Sequence, residues 1–193
     1  MRTHIPARFL AAALALMVAG CSGSTGPTAT PSPAGPTSSP TPAQATDTQG
    51  KYHLVFELPK TDWRTTEAIT GQATLSVVGS AGVDFGASGG GPLAFSFDEV
   101  GGSRHIHWVM TADCTTYRLD PGAPMSSPIK KSGGADTSDP NYEFYRSFFA
   151  DPLVHLPAGD WTITAVASLV DGAGCSGGSY TLNAPVTVHV TAG

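Results

Sequence analysis

The chain has 193 residues, with 10 Lys or Arg against 15 Asp or Glu, and charged residues make up only 13% of it. Arg2 and Arg8 precede Cys21, so the remainder carries eight basic against fifteen acidic residues, a net charge of −7. Because phosphate binding needs clustered basic residues, this balance excludes nucleic acid as an expected partner. The 23 Gly and 16 Pro residues favour turns over helices and indicate an all-β domain.

The first 20 residues have the pattern of a secretory signal. They carry two arginines and no acid, followed by an apolar run from Phe9 to Ala19. A run of about 11 residues is too short to span a hydrocarbon core, but it fits the apolar region of a signal peptide. We therefore predict that residues 1–20 are a cleaved signal peptide.

The residues Val18-Ala19-Gly20-Cys21 end this run. They resemble the lipobox of bacterial lipoproteins, in which small residues precede an obligatory cysteine. The resemblance implies that Cys21 becomes a diacylglyceryl thioether at the new N-terminus, and two acyl chains hold a protein stably in a bilayer. The expected location is extracytoplasmic, lipid-anchored to the outer face of the bacterial cell membrane. An ordinary cleaved signal and a short transmembrane anchor are the alternatives.

The next segment has nothing to bury. From Ser22 to Gly50 the chain contains no aromatic residue, Leu, Ile, Val or Met, its only charge is Asp47, and it has six prolines. Burial in such a segment cannot offset the entropy of ordering it. We predict a disordered Ser/Thr/Pro-rich tether over residues 21–50 and a folded domain over residues 51–193.

Beyond residue 50, apolar residues alternate with polar ones, which predicts half-buried strands. The stretches are KYHLVFEL (51–58), AITGQATLSVV (68–78), LAFSF (93–97), HIHWVMTADC (105–114), WTITAVASLV (161–170) and YTLNAPVTVHV (180–190). The fourth stretch is expected to bury Ile106, Trp108, Met110, Ala112 and Cys114. Pro185 predicts an edge position or a bulge in the last strand, because proline cannot donate to a ladder. Strands with one apolar face each predict two antiparallel sheets packed on one another.

One short helix interrupts the strands. In SDPNYEFYRSFFADP, Asp139 is the expected N-cap, Pro140 the first helical residue, and the helix is expected to end before Pro152. The segment is rich in aromatic side chains, and another aromatic follows PKTD. Two interpretations stay open for this set, a place in the core or an exposed interaction surface for a glycan or protein. The residues are Trp63, Tyr142, Tyr145, Phe148 and Phe149.

The stretch HLPAGDWTITA (155–165) resembles the PAGxY/WxxxA pattern of many bacterial immunoglobulin-like surface modules. The resemblance implies an immunoglobulin-like antiparallel β-sandwich and carries no function with it.

Three cysteines are odd in number for a secreted protein, and lipidation of Cys21 accounts for one. In an immunoglobulin-like sandwich, the strand carrying Cys114 would lie near the loop carrying Cys175, which implies a disulfide between them. A catalytic or metal-binding thiol pair is the alternative, although neither cysteine belongs to a CxxC motif.

Two serines match the G-x-S-x-G pattern of a hydrolase nucleophile, Ser88 and Ser176. That pattern needs a strand before the serine and a helix after it, and both matches fall in glycine-rich loops. We interpret both as chance, and also the overlapping S-x-x-K of Ser127 and Lys130.

His105 and His107 are weak candidates for a metal site, because residues i and i+2 of a strand share one face. A metal needs a third ligand, for which His53, His155 and Asp98 are available. The alternative is that the two imidazoles line a solvated face. No cofactor is expected.

The sequence favours a non-enzymatic surface module, held by its lipid, that binds a protein, peptide or glycan through its end loops. A metal-binding protein or enzyme using His105 and His107 is one alternative. A secreted protease inhibitor is the other.

Overall fold

The computed structural model describes residues 42–193; the predicted signal peptide, Cys21 and the tether up to residue 41 lie outside these residues. The described part of the chain forms eleven strands, one α-helix and one 3₁₀ turn. The strands are β1 (Ala43–Gln49), β2 (Tyr52–Leu58), β3 (Asp62–Arg64), β4 (Gln72–Val77), β5 (Val83–Ala87), β6 (Leu93–Glu99), β7 (His105–Ile106), β8 (Thr115–Leu119), β9 (Met125–Pro128), β10 (Gly159–Asp171) and β11 (Ser179–Thr191). The helix is α1 (Tyr142–Ala150), and the 3₁₀ turn is Ala173–Cys175.

The strands form two sheets around one core. The first sheet is antiparallel in the order β1-β2-β4-β9. In the second, β11 lies between β10 and the short parallel strand β3, while β6 and β5 both pair with the far edge of β10. Aromatic rings join the sheets, with the centroids of Phe56 and Phe95 5.8 Å apart. The predicted all-β sandwich with one short helix is confirmed.

Strand β1 corrects the predicted tether, because residues 43–49 pair along their whole length with β2. Its polar side chains also cover the free edge of β11: the Asp47 carboxylate accepts the backbone N–H of Asn183 at 2.8 Å, and Gln49 donates to the carbonyl of Thr181 at 2.7 Å. The segment lacks large apolar residues because its stability comes from pairing and these edge contacts. Pro185 lies on the same edge, where no ladder partner is required.

Five of the six predicted strand stretches overlap the strands β2, β4, β6, β10 and β11, with ends that differ by a few residues. The short strands β3, β5, β8 and β9 were not predicted, because each has few core-facing residues; β9 (MSSP) has only the half-buried Met125. The fourth predicted stretch, residues 105–114, is wrong beyond Ile106. Trp108 and Met110 are half-buried there, and Ala112 and Cys114 are exposed.

Helix α1 ends before Pro152 as predicted, but it begins at Tyr142 with Asn141 as the N-cap. Asp139, the predicted N-cap, instead accepts the backbone N–H of Asn141 at 2.7 Å in the preceding turn. At the other end, the ammonium of Lys131 donates to the carbonyls of Phe148 and Asp151 at 2.5 and 2.8 Å. Over residues 42–193, none of the helical structure has the length and apolar character that crossing a membrane requires.

Candidate functional site

The aromatic set divides between core and surface. Trp63, Tyr145 and Phe148 are buried, which favours the core over an interaction surface for these three, while Tyr142 and Phe149 are half-buried. The Phe148 ring lies 5.5 Å from that of Phe97, so α1 is fastened to the second sheet through its aromatic face. The aromatic face is therefore mainly a packing surface.

We expect Phe148→Ala to lower the free energy of unfolding by about 3–4 kcal/mol, the usual cost of truncating a buried phenylalanine. The reason is that Phe148 is 4% exposed and packs on Phe97. Urea denaturation measures the change. Val100→Ala is the control, because Val100 is 56% exposed and should cost less than about 0.5 kcal/mol. A loss of less than 1 kcal/mol for Phe148→Ala would contradict the packing role.

The histidines do not converge. His105 Nδ1 lies 3.1 Å from an Asp98 carboxylate oxygen, and the rings of His105 and His107 stack with centroids 6.3 Å apart. His53 bonds to Thr48 in the first sheet, and His155 Nδ1 contacts the Asp151 carboxylate near the end of α1. Among residues 42–193, no three His, Cys, Asp or Glu side chains are arranged to hold a metal ion.

The serine motifs lie where a nucleophile elbow would not form. Ser88 is followed by a turn and strand β6, and Ser176 lies between the 3₁₀ turn and β11. The Ser127 hydroxyl bonds to the carbonyl of Pro128. Ser88 nevertheless has a structural role, because it lies in the segment between β5 and β6, where the pairing of the second sheet is interrupted.

The opening arises between two neighbouring stretches of chain. Strands β5 and β6 pair with consecutive parts of β10, and residues 88–92 bulge out between them. The neighbouring stretch is residues 105–119, in which β7 pairs with β6 and β8 pairs with β5. Residues 107–114, between β7 and β8, do not pair and form a loop opposite the bulge. The predicted strand 105–114 is interrupted because its neighbour has no continuous edge to offer.

Polar contacts hold the bulge and the loop in place. Ser88 Oγ lies 2.7 Å from Thr111 Oγ1, and Thr111 bonds in turn to the Asp113 carboxylate. A carboxylate only accepts, so Thr111 must donate its single proton to Asp113, and Ser88 must donate to Thr111. The Tyr117 hydroxyl lies 2.9 Å from the Ser88 carbonyl. The direction of the hydrogen bonds is therefore fixed toward Asp113.

Asp113 is held ionised by these contacts. The hydrogen bond from the Thr111 hydroxyl, and then that from the Gly89 backbone N–H, keep the pKa of Asp113 below its ordinary value. A Cβ atom at residue 89 would collide with the Asp113 carboxylate, so the close approach requires glycine there. The result is an exposed carboxylate with a fixed position at neutral pH.

Cys114 and Cys175 lie at disulfide distance, with Cα atoms 6.2 Å apart, and fasten the end of the loop to the β10–β11 connection. Cys175 has φ +53°, in the left-handed region that a residue other than glycine seldom adopts. Its sulfur sits over Gly86 of β5, where a Cβ would collide with it. The structure thus brings the predicted cysteine pair together at the opening of the sheet.

A cavity of about 240 Å³ lies between the loop and the end of β10. We call it the Trp108 pocket, and its polar and aromatic lining comprises Ser88, Trp108, Thr111, Asp113, Ser168 and Ser179, with the two cysteines. Trp63 and Trp161 are buried, whereas Trp108 is half-buried and lines this cavity. Met110, Leu169 and Val170 add apolar surface to the lining, so the cavity combines an indole and aliphatic side chains with an ionised carboxylate and hydroxyl groups.

Sequence reasoning missed this site because alternation placed Trp108 in the core. One signal was present: Val109, on the opposite face of the presumed strand, is also apolar, and it is 58% exposed. Apolar residues on both faces, followed by the polar run TADCTT, are more typical of a loop than of a half-buried strand.

No protein-family model matches the chain, and no curated protein matches it. The resemblances to lipoprotein signals and to immunoglobulin-like modules therefore stay predictions.

Proposed function

We propose that this chain is a lipid-anchored extracytoplasmic protein whose β-sandwich binds a neutral glycan through the Trp108 pocket, without catalysing a reaction on it. The anchor rests on the Val18–Cys21 pattern after an apolar run. The first strand of the domain begins at Ala43.

One observation carries the glycan proposal: a half-buried tryptophan and an ionised carboxylate line the same pocket, and hydrogen bonds hold the carboxylate in place. The apolar C–H face of a sugar ring packs against an indole, and its hydroxyl groups donate to a carboxylate. In this pocket Trp108 supplies the indole and Asp113 the carboxylate. A glycan satisfies both groups at once, which a purely apolar ligand does not.

The size and charge of the pocket limit the classes of glycan unit that it can bind. Its volume of about 240 Å³ lies below the roughly 300–1,000 Å³ of pockets for drug-sized ligands, so it fits one sugar unit. Neither Lys nor Arg lines it within the described residues, and the Asp113 carboxylate repels anions. The expected ligand is therefore an uncharged hexose or N-acetylhexosamine unit, at the end of a glycan chain or on a branch.

Rigidity supports the proposal, because a preorganised site loses less conformational entropy on binding. The cysteine pair holds one end of the loop, the Ser88–Thr111 hydrogen bond holds its middle to the bulge, and the Tyr117 hydroxyl bonds the bulge to β8.

Calorimetric titration of the lipidated chain, in a detergent without a sugar headgroup, tests the proposal against neutral hexoses, N-acetylhexosamines and a uronic acid. We expect a neutral sugar to bind at one site, and Trp108→Ala to weaken binding about 30-fold, equivalent to about 2 kcal/mol. Asp113→Asn keeps the shape of the side chain and should weaken binding about 10-fold through loss of charge.

Val78→Ala is the matched control, since Val78 is 56% exposed and does not line the pocket. It should bind as the unaltered chain does. Absence of binding by every neutral sugar, or equal affinity of the Trp108→Ala and unaltered chains, would overturn the proposal.

A further inference from the structure

A second concave surface lies at the C-terminal end of α1. The cavity measures about 410 Å³ and is formed by three segments: the loop before β4, the residues after β9, and the chain from the end of α1 to Val154. Backbone hydrogen bonds join these walls, from Ile129 N–H to the Gly71 carbonyl at 3.0 Å and from Ile69 N–H to the Val154 carbonyl at 2.8 Å. We call this surface the α1 groove.

The walls of the α1 groove are mostly apolar. Leu153 is 54% exposed, one of the most exposed large apolar residues of the described chain. Ile129 and Phe149 are half-buried beside it, and Pro128 and Pro152 complete the apolar lining. These side chains lie on a single cavity rather than scattered over the surface, so they form a site where an apolar side chain can be buried.

The rim of the α1 groove carries two cations, Lys130 and Lys131, and one carboxylate, that of Asp151. Lys130 is exposed and makes no ion pair with any residue of 42–193, and Lys131 is fixed by the carbonyls at the end of α1. The one acidic residue of the lining, Asp151, is already engaged: its carboxylate contacts His155 Nδ1 at 2.6 Å and accepts the Leu153 N–H at 2.8 Å. The rim therefore carries one more positive than negative charge, and Lys130 is the cation that projects from it without an ion pair among the described residues.

This positive rim is an exception on the molecule. Residues 42–193 contain all fifteen acidic residues against eight basic ones, and most cations are paired, as Lys51 is with Asp171 and Arg118 with Asp84. An acidic partner would be repelled by most of this surface and attracted to the α1 groove. Charge complementarity thus favours an acidic partner in the α1 groove.

We propose that the α1 groove binds an extended peptide segment of a partner protein, with an apolar side chain against Leu153 and a carboxylate at Lys130. An uncharged sugar would leave the Lys130 ammonium without a partner, and the net charge of −7 on the domain repels the extended anionic surface of a lipid bilayer. The α1 groove shares no lining residue with the Trp108 pocket, so this proposal does not depend on glycan binding.

Selection from a random heptapeptide library against the lipidated full-length chain tests it, and the selected peptides are then measured by fluorescence anisotropy. We expect them to carry Asp or Glu within two residues of Leu, Ile or Phe. Lys130→Glu and Leu153→Ser should each weaken binding about tenfold, and replacing the acidic residue of the peptide with its amide should do the same.

The controls are matched in charge and exposure. Arg64→Glu reverses an exposed cation outside the α1 groove, and Val78→Ser replaces an equally exposed apolar residue; both should leave peptide binding unchanged. Trp108→Ala should also leave it unchanged.

Three results would overturn the proposal: no peptide is selected, the selected peptides bind the Lys130→Glu chain equally well, or the selected peptides are basic. A polarity-sensitive label at Leu153→Cys that enters anionic vesicles would instead show a membrane as the occupant and also overturn it.

Discussion

Cys21→Ser abolishes the incorporation of labelled fatty acid into the protein, while the double variant Cys114→Ser/Cys175→Ser retains it. This is the expected result because only Cys21 follows the small residues of a lipobox pattern. Each buried CH₂ contributes about 0.8 kcal/mol to membrane binding, so loss of two acyl chains removes nearly all of the affinity. Metabolic labelling with a palmitate analogue, followed by mass spectrometry of the N-terminal peptide, makes the measurement.

A chain in which residues 1–21 are replaced by an ordinary secretory signal provides the control for anchoring. It should appear in the soluble extracytoplasmic fraction, because the domain then has no lipid. Equal labelling of the Cys21→Ser and unaltered chains would contradict the proposed anchor, and so would membrane retention of the control chain.

The double variant Cys114→Ser/Cys175→Ser is expected to lose about 4 kcal/mol of unfolding free energy. The two cysteines are 61 residues apart in sequence. A disulfide that closes a loop of this length lowers the conformational entropy of the unfolded chain, which destabilises the unfolded state by about 4 kcal/mol. For a domain of this size the loss corresponds to a fall of roughly 8–16 °C in Tm. Urea denaturation of the two chains under oxidising conditions measures the difference.

Reduction provides an internal control for the disulfide. A thiol reductant should lower the stability of the unaltered chain toward that of the double variant and leave the double variant unchanged. If the free energies of unfolding of the two chains differ by less than 1 kcal/mol without reductant, a stabilising disulfide is contradicted.

Long strands with regular alternation were predictable from the sequence. The alternation in β2 and β11 reflects one face turned to the core, as Leu54 and Val188 show by their complete or nearly complete burial. Strand β1 was not predictable in this way, because its stabilising contacts are polar and involve residues of β11, such as Asn183, that lie more than 130 positions away. Local composition does not record such pairing.

The candidate site was less predictable than the fold. Turn composition correctly indicated a loop around Ser88, and the cysteine count indicated the pair that the structure brings together. The position of Trp108 depends on a neighbouring strand that bulges at residues 88–92 and ends the ladder beside it. Alternation within one segment cannot report an interruption in its neighbour, so Trp108 was assigned to the core.

Contact between Trp108 and a neutral sugar is tested most directly by the indole N–H signals of the protein. The three tryptophans give three signals in a ¹H–¹⁵N spectrum, and the variant Trp108→Phe identifies one of them. During titration with the sugar found by calorimetry, the Trp108 signal should shift saturably. Those of the buried Trp63 and Trp161 should stay in place. A titration in which the Trp108 signal does not move, or in which all three move alike, would contradict the claim.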